Sequence, residues 1–351
     1  MRRVANSEQK TQRLENISAI LGALRAQSAL TRMELTQQLS LSWACISELT
    51  ALMLADGLIL EEKAESLGKG RTPLVLRLHT GKRFIGVDVN AMGLTVCVCD
   101  LAGQKLMQSS HPIHSETEDA LVRSVLAAIR ATAQAEAADV LAIGLAVQGM
   151  RNRTARRRTF PGVCGEIQLD LAMRISEQLS LPVIEEHDPN CILLGFTQPG
   201  DALNRLMVRI DDGVGAALLM REGFFTQGPL ELGYCRVGGD SLQSWVTRKG
   251  LEERAGRPLQ ALAADPTAQA HFDRAGEALG TALGNLSNLM YLDEIVLCGE
   301  MTTHLPRMRQ ALDEAYACTA LPSQRAVIRS VPITDAAYGA AKLAAVRYPN
   351  L

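Results

Sequence analysis

The segment His187-Asp188-Pro189-Asn190 combines side chains that can bind or deprotonate a sugar hydroxyl. It follows directly after a predicted strand, and α/β sheets place ligand contacts at the carboxyl ends of their strands. Asp188 could act as a base toward such a hydroxyl or accept a hydrogen bond from it. An Asp-Pro turn that caps the following helix explains the same residues equally well. The motif alone leaves both interpretations open.

Two strand-turn-strand segments have the layout of hairpins that hold nucleotide phosphates. The first covers residues 84–101 and the second covers residues 206–218, which suggests an internal duplication. Glycine-rich turns bind phosphate because their backbone N–H groups can close around its oxygens. The first turn instead carries the sequence NAM at residues 90–92, and the second begins with Asp211 and Asp212, which would repel a triphosphate. The two hairpins therefore predict a kinase-like fold that lacks the phosphate contacts of a kinase.

The first 80 residues have the pattern of a winged helix-turn-helix. Apolar residues at helical spacing predict a helix over residues 12–27, and the capping-box sequence from Thr31 to Glu34 opens a second helix. Ser42 is placed to cap a third helix over residues 43–55, and two strand-like runs follow it. Three helices and a hairpin in this order are typical of a DNA-binding module whose third helix enters the major groove.

The first turns of the predicted third helix would meet the base edges. Ser47 and Glu48 can hydrogen-bond to bases, and Trp43 and Ala44 offer apolar contact to a thymine methyl group. Basic residues are sparse on this helix, so Arg32 and the wing are expected to contact phosphates.

The predicted wing tip has the sequence LGKGRTP at residues 67–73. Its glycines allow close backbone approach, and its two cations suit the negative potential of a narrow minor groove. A solvated linker, or a helical module that only packs, is the alternative. The helices and the wing follow one another in the order of a winged helix-turn-helix, which favours DNA binding. The expected DNA-contacting residues are Arg32, Ser42, Trp43, Ala44, Ser47, Glu48, Lys69, Gly70 and Arg71.

Composition narrows the class of protein. The 351 residues include 36 Lys plus Arg and 38 Asp plus Glu, so the chain as a whole is not a generic polyanion binder. An N-terminal apolar region and an uninterrupted apolar stretch of membrane-spanning length are both missing, which predicts a cytoplasmic protein.

The eight cysteines are scattered without a CxxC pair and are expected to be buried free thiols. Five arginines within residues 151–158 predict a solvated loop, with anion binding as the less favoured alternative.

Strand and helix patterns alternate through the rest of the chain, which predicts an α/β domain with a mixed or mainly parallel sheet. Further strands are expected at residues 140–147, 182–185 and 294–298, and further helices at residues 116–138, 169–179, 279–292 and 334–345.

In order and spacing, these segments together resemble the ROK family (repressors, open reading frames and sugar kinases) over nearly the whole chain. The wing is similar to that of the family's regulators, and the two hairpins resemble its two phosphate hairpins. The segments that resemble its sugar-side loop, its E-N-D-A-N and E-x-G-H sequences and its adenosine-side glycine strand are residues 143–149, 186–190, 231–234 and 295–301.

This resemblance implies an α/β chain with an N-terminal winged helix-turn-helix followed by a two-lobed actin-like ATPase (ribonuclease H-like) fold. The implied domains are a DNA-binding domain at residues 1–80 and an effector-binding and oligomerisation domain at residues 81–351. Its lobes would be residues 81–200 with the C-terminal helix 334–351, and residues 201–333.

The resemblance also implies the ligand contacts. Asp188 matches the family's catalytic base, Glu231 matches a hydroxyl-binding glutamate, and Gln243 stands where a second glutamate is usual. Tyr234 replaces the E-x-G-H histidine and His187 replaces an asparagine, so the effector is not expected to be an ordinary neutral hexose. The expected effector-binding residues are Gln148, Gly149, His187, Asp188, Glu231, Tyr234 and Gln243.

Departures from the family pattern affect its chemistry. All three nucleotide-side elements have lost donors or glycines, and phosphoryl transfer depends on positioned phosphate contacts. No kinase activity and no catalytic residue are therefore expected, and Asp188 would be catalytic only if the chain were a kinase. Many family members hold a structural zinc, but Cys235 is the one thiol between Tyr234 and Ser241. A tetrahedral zinc needs three or four good ligands, so no metal and no cofactor are predicted.

The expected function is that of a DNA-binding transcriptional regulator, a repressor, whose kinase-like domain senses a sugar, sugar acid or sugar phosphate. The expected partners are double-stranded operator DNA, the small-molecule effector and further copies of the chain in a homodimer or homotetramer, with no membrane. One alternative is an active ROK sugar kinase fused to a helix-turn-helix. The other is a ligand-independent DNA-binding protein that uses the ROK domain only for dimerisation.

Overall fold

The computed structural model describes the chain in two compact units, Met1–Gly200 with Ala336–Leu351 and Asp201–Asp335. The described residues are 2–64, 73–90, 93–136, 139–149, 158–159, 168–197, 201, 203–221, 223–224, 230–331 and 335–348, of which 2–11, 135–136, 158–159, 168–169 and 223–224 are described by their backbone alone. Several sequence predictions lie outside the described residues: Lys69, Gly70 and Arg71 of the wing, the turn at 91–92, most of the arginine loop and Cys164.

Helices and strands alternate over most of the chain. The helices are α1 (Arg2–Ala26), α2 (Arg32–Leu39), α3 (Trp43–Ala55), α4 (Glu118–Glu136), α5 (Leu171–Leu179), α6 (Asp188–Phe196), α7 (Leu242–Val246), α8 (Arg248–Ala255), α9 (Leu259–Ala264), α10 (Gln269–Leu289), α11 (Leu305–Thr319) and α12 (Ala336–Arg347). The strands are β1 (Ile59–Lys63), β2 (Leu74–Leu78), β3 (Lys82–Asn90), β4 (Gly93–Asp100), β5 (Lys105–His111), β6 (Asp139–Val147), β7 (Arg158–Thr159), β8 (Gln168–Leu169), β9 (Val183–His187), β10 (Arg205–Ile210), β11 (Val214–Met220), β12 (Gly223–Phe224), β13 (Arg236–Val237), β14 (Asp240–Ser241), β15 (Glu294–Cys298) and β16 (Val327–Ser330).

The N-terminal module begins its second and third helices where the sequence predicts. The Thr31 hydroxyl accepts the Glu34 N–H at 3.2 Å, and the Glu34 carboxylate accepts the Thr31 N–H at 2.7 Å. The Ser42 hydroxyl accepts the Cys45 N–H at 3.2 Å and so caps α3. Strands β1 and β2 pair antiparallel. The predicted order of three helices and a hairpin is confirmed, although α1 begins at Arg2 rather than near Gln12.

Each unit is built on a five-stranded mixed sheet, and the two sheets have the same layout. Their strand orders are β5-β4-β3-β6-β9 and β12-β11-β10-β15-β16. In each sheet the first three strands pair antiparallel, and the last three pair parallel. The predicted similarity of the two hairpins, β3–β4 and β10–β11, is therefore confirmed. Strands β5 and β16 were not predicted, because much of each strand is exposed and its sequence lacks a clear apolar face.

The first sheet has a different helical layer on each face. Helices α4 and α5 cover one face, where Leu121 and Ile175 share a core with Ile85. The core on the other face includes Phe84 of β3 and Ala345 of α12. The N-terminal module contributes to this second core, which is therefore continuous from α1 to α12. The second unit has its own core around α10 and α11.

Helix α12 lies against the first sheet and against α6 at distances that only glycine permits. A Cβ atom added to Gly86 or Gly144 in the strands would lie 1.9 Å or 2.0 Å from a carbonyl oxygen of α12. A Cβ atom added to Gly339 on α12 would lie 1.6 Å from the Cys191 carbonyl oxygen in α6. Backbone therefore packs on backbone along α12, and no side chain separates these elements.

The cysteines differ in exposure. Cys97, Cys99, Cys191 and Cys298 are buried free thiols, as predicted. Cys235 and Cys318 are exposed, and for these two the prediction of burial was wrong. Among the described residues, no helix combines the length and apolar composition needed to cross a bilayer.

Replacing Gly339 by alanine tests the packing of α12. We expect Gly339→Ala to lower the free energy of unfolding by about 1–3 kcal/mol or more, because the new methyl group overlaps a backbone carbonyl. Gly22→Ala is the matched control, since Gly22 also lies in a helix but has open space around its Cα. This control should raise the free energy of unfolding by up to about 1 kcal/mol. Urea unfolding measures both changes, and a fully stable Gly339→Ala protein would contradict the packing described.

Candidate functional site

Helix α3 has one exposed and one buried face. Trp43 is 57% exposed, Ala44 and Glu48 are exposed, and Ser47 is partly exposed. The opposite face, which includes Leu49, is buried in the core of the N-terminal module. Residues three to four positions apart share a helix face, so these four expected base-contacting residues form one surface.

Arg32 is held by contacts within the N-terminal module. Its Nε donates to the Thr50 hydroxyl of α3 at 3.0 Å, and its Nη1 forms an ion pair with Glu61 of β1. Thr50 is fully buried. Arg32 therefore connects the start of α2 to α3 and to the hairpin, a structural role that the sequence did not indicate.

Arg13 is a candidate DNA-contacting residue that sequence reasoning missed. Its Nη2 lies 3.6 Å from the Glu48 carboxylate, and both side chains are largely exposed. This contact brings a positive charge from α1 next to the exposed face of α3. The two residues are far apart in sequence, so only the packing of α1 on α3 indicates their proximity.

The first sheet brings two predicted ligand segments and the end of β3 to one edge. In the pairing of β3, β6 and β9, Val89 lies opposite Val147, and Val147 lies opposite His187. The carboxyl ends of these parallel strands are therefore adjacent. They carry Asn90, the pair Gln148 and Gly149, and the pair His187 and Asp188 at the same edge.

The geometry around Asp188 differs from a simple Asp-Pro cap. Helix α6 begins at Asp188, and His187 occupies the N-cap position. The neighbouring Glu186 carboxylate accepts the His187 N–H at 2.8 Å and the Asn190 amide at 3.0 Å. The His187 Nε2 lies 3.6 Å from an Asp188 carboxylate oxygen, and both residues are buried. Glu186 therefore organises the turn at the start of α6.

In the second unit, the segment Glu231 to Tyr234 packs against Gln243. A Cβ atom added to Gly233 would lie 3.2 Å from the Gln243 side-chain oxygen and 3.1 Å from Cβ of Val214. Burial raises the pKa of the Glu231 carboxyl above its ordinary value. The structure therefore places Gly233, two residues after Glu231, beside Gln243, while Tyr234 is 61% exposed.

The turn after β10 holds its own carboxylates in internal contacts. The Asp211 carboxylate accepts the Glu300 N–H at 2.6 Å and pairs with Arg209, and the Asp212 carboxylate pairs with Arg248. Backbone N–H groups in such turns are the donors that bind phosphate oxygens in nucleotide sites. Here the Glu300 N–H, two residues after the end of β15, is already bonded to the Asp211 carboxylate.

The segment corresponding to the family's zinc loop is a short hairpin of β13 and β14. Cys235, at its start, is exposed. Within the part of the chain that the structure describes, no three His, Cys, Asp or Glu side chains are grouped so that they could hold a metal ion.

A segment that runs from β3 to Cys235 matches a known protein family. Residues 84–235 match the ROK family. The chain contains a ROK family domain. The match includes both hairpins and the edge that carries Gln148 and Asp188.

Proteins that are similar to this chain include regulators and kinases. The N-acetylglucosamine repressor of Escherichia coli O6:H1 is 21% identical over an alignment of 358 positions that covers 90% of this chain and 88% of the repressor. A crystal structure of a ROK family transcriptional regulator, a homologue of the Escherichia coli MLC protein, has a TM-score of 0.79 at 20% identity and covers 95% of this chain and 96% of its own. The ROK hexokinase from Thermus thermophilus has a TM-score of 0.69 at 20% identity and covers 77% of this chain and 100% of its own. The predicted fold, an N-terminal helical module joined to an actin-like ROK fold, is confirmed.

Arg32→Ala tests whether Arg32 stabilises the module in the absence of DNA. We expect it to lower the free energy of unfolding by about 1.5–3 kcal/mol, because it removes a charged donor from the buried Thr50 hydroxyl. Arg77→Ala is the matched control, since the Arg77–Glu62 pair on the same hairpin is exposed. That change should cost at most about 1 kcal/mol. Urea unfolding without DNA measures both, and equal effects would mean that Arg32 has no special structural role.

Proposed function

We propose that this ROK chain is a DNA-binding transcriptional repressor whose ROK domain senses a sugar or sugar-derived effector without phosphorylating it. The extent of the similarity carries the proposal. The repressor and regulator relatives match 90% and 95% of the chain, whereas the hexokinase matches 77%. The similarity to the regulators thus extends beyond the ROK domain, and the N-terminal module has the winged arrangement of a DNA-binding unit.

The DNA-binding surface of this proposal is the exposed face of α3, aided by Arg13, Arg32 and the wing. A symmetric homodimer or homotetramer in the cytoplasm would bind paired half-sites about one helical turn apart. With few basic residues on α3, affinity would depend on phosphate contacts made by neighbouring elements.

The effector in this proposal is a sugar, a sugar acid or a sugar phosphate. In the first unit it would contact Gln148, Gly149, His187 and Asp188, which share one edge of the sheet. Buried His187 and Asp188 favour a ligand with several hydroxyl groups, because both can exchange hydrogen bonds with hydroxyls. Glu231, Tyr234 and Gln243 remain proposed contacts in the second unit, as the family resemblance implies. A sugar-derived ligand is also supported by the similarity to a repressor that is named for N-acetylglucosamine.

The contacts of Asp211 support a sensor rather than a kinase. An ATP phosphate bound beside Glu300 would have to displace the Asp211 carboxylate from the Glu300 N–H. It would also approach Asp212, a second carboxylate, without a glycine-rich backbone to offset the repulsion. Phosphoryl transfer depends on such positioned contacts, so we infer that Asp188 serves in ligand binding and not as a catalytic base.

A continuous structural connection supports coupling between the ligand and the DNA-binding module. Helix α6, which begins at Asp188, packs on α12 through Gly339. Arg25 of α1 donates to the carbonyl oxygens of Ala345 in α12 at 2.8 Å and of Leu101 at 3.0 Å. A ligand that binds one arrangement of these elements more tightly would shift the module's DNA affinity. Typical couplings of about 1–3 kcal/mol would change that affinity about 5- to 150-fold.

The DNA-binding surface can be tested with duplexes selected from a random library by the intact protein. We expect Trp43→Ala and Ser47→Ala to weaken binding to a selected duplex about tenfold or more at physiological salt, since each removes a base-edge contact. Tyr291→Ala is the matched control, because Tyr291 is an exposed aromatic residue of the second unit. Fluorescence anisotropy measures the affinities. A protein that enriches no sequence over random duplex would refute the regulator proposal.

The effector site can be tested by a thermal-shift screen of sugars, amino sugars, sugar acids and their phosphates, with ATP included. We expect at least one sugar-derived compound to raise the melting temperature, Asp188→Asn to abolish that shift, and ATP to give none. Asp313→Asn, an exposed change on α11, serves as the control. Sugar-dependent ATP hydrolysis would favour a kinase, and a stable protein that responds to no compound would favour a ligand-independent DNA-binding protein.

A further inference from the structure

A cavity of about 330 Å3 lies in the second unit among α7, α8 and α10. Its walls are Trp245, Leu251, Arg254, His271 and Arg274. None of these residues belongs to the proposed effector or DNA-binding surfaces. Three of the five are cationic or can become so, and the other two are apolar or aromatic.

One cationic wall of the cavity is fixed in place. The Arg254 guanidinium stacks over the Trp245 ring at 3.4 Å from its centroid. Its Nε donates to the Ser244 carbonyl oxygen at 2.9 Å, and its Nη2 pairs with Asp240 at 2.7 Å. The Trp245 indole N–H donates to the Val237 carbonyl oxygen at 3.1 Å. These bonds order the two side chains before any ligand arrives, which lowers the entropic cost of binding.

The opposite wall comes from α10. His271 and Arg274 lie one turn apart on this helix and therefore point to the same side. In contrast to Arg254, Arg274 has no ion-pair partner among the residues that the structure describes. Arg274 is exposed, and it lines the cavity without an ion pair among the described residues. Buried Leu251 adds an apolar surface to the lining.

This combination matches a particular class of ligand. The Arg274 guanidinium, the His271 imidazole and the Nη1 group of Arg254 provide donors that suit phosphate oxygens, while the Nε and Nη2 groups of Arg254 are bonded to Ser244 and Asp240. A phosphate monoester carries nearly two negative charges at neutral pH, and Arg274 supplies an uncompensated positive charge that attracts it, since the charge of Arg254 is already offset by Asp240. The volume is at the lower end of the roughly 300–1,000 Å3 typical of small-molecule sites. We propose that this cavity binds a small phosphate monoester of the size of a monosaccharide phosphate.

The cavity and the proposed effector residue Gln243 lie on opposite sides of α7. Trp245 and Gln243 are two positions apart on α7, a spacing that puts their side chains on nearly opposite sides of the helix. Gln243 faces Gly233, and Trp245 faces the cavity. A ligand in the cavity would therefore contact the same short helix that positions Gln243. This second site goes beyond the proposed function, and its existence does not depend on DNA binding.

Intrinsic fluorescence can test the cavity directly, because the chain has two tryptophans, Trp43 on α3 and Trp245 in the cavity wall. In a Trp43→Phe protein, Trp245 is the sole reporter. Inorganic phosphate, glucose 6-phosphate and glucose are titrated at constant ionic strength. We expect saturable changes with both phosphates and none with glucose. Arg274→Ala in the same background should weaken phosphate binding about tenfold or more, which corresponds to about 1.4 kcal/mol.

Two further variants make the outcome decisive. Arg309→Ala, which removes a charge from an exposed pair on α11, should leave the titration unchanged. Asp188→Asn shows whether the signal arises at the effector site instead of in the cavity. Absence of a saturable response would overturn the proposal. A response that survives Arg274→Ala but disappears in Asp188→Asn would also overturn it, because that pattern assigns the signal to the effector site. None of these measurements uses DNA, so they remain informative if the regulator proposal fails.

Discussion

Contact between backbones around α12 is the constraint on which the first unit depends. Helix α12 touches strands β3 and β6 at Gly86 and Gly144, and it touches α6 at its own Gly339. Protein interiors are packed as densely as organic crystals, so elements in such contact move together or exchange between discrete arrangements. The strands end at the candidate ligand edge, and α6 begins there. The position of α12 and the shape of that edge are therefore linked.

Arg25 extends this linkage into the N-terminal module. Its guanidinium donates to a carbonyl in the last turn of α12, where the helix dipole also favours a positive charge. Burial lowers the pKa of Arg25 to about 10, and the group remains charged at neutral pH. The charged Arg25 side chain therefore connects α1 to α12 through hydrogen bonds to neutral carbonyl oxygens. Both helices also contribute to one shared core.

Local chemistry explains which parts of the sequence could be predicted. The caps at Thr31 and Ser42 were predicted because donor and acceptor lie three residues apart. The segments at the carboxyl ends of β6 and β9 were placed because parallel strands put those ends at one edge. The bond from Glu300 to Asp211 and the anchoring of Arg32 to Glu61 were not predicted, since their partners are distant in sequence. The cavity was not predicted either, because its five lining residues come from three different helices.

The shared core has a consequence for anyone who wishes to graft the N-terminal module onto another protein. Leu35 and Ile46 belong to the same cluster as Phe84, Leu101 and Ala345. A cut after residue 80 would leave that cluster half open to water and would remove the carbonyl acceptors of Arg25. A chimaera that keeps the module native would have to carry over the first sheet and the C-terminal helix with it. In this chain the boundary in sequence does not coincide with a boundary in the core.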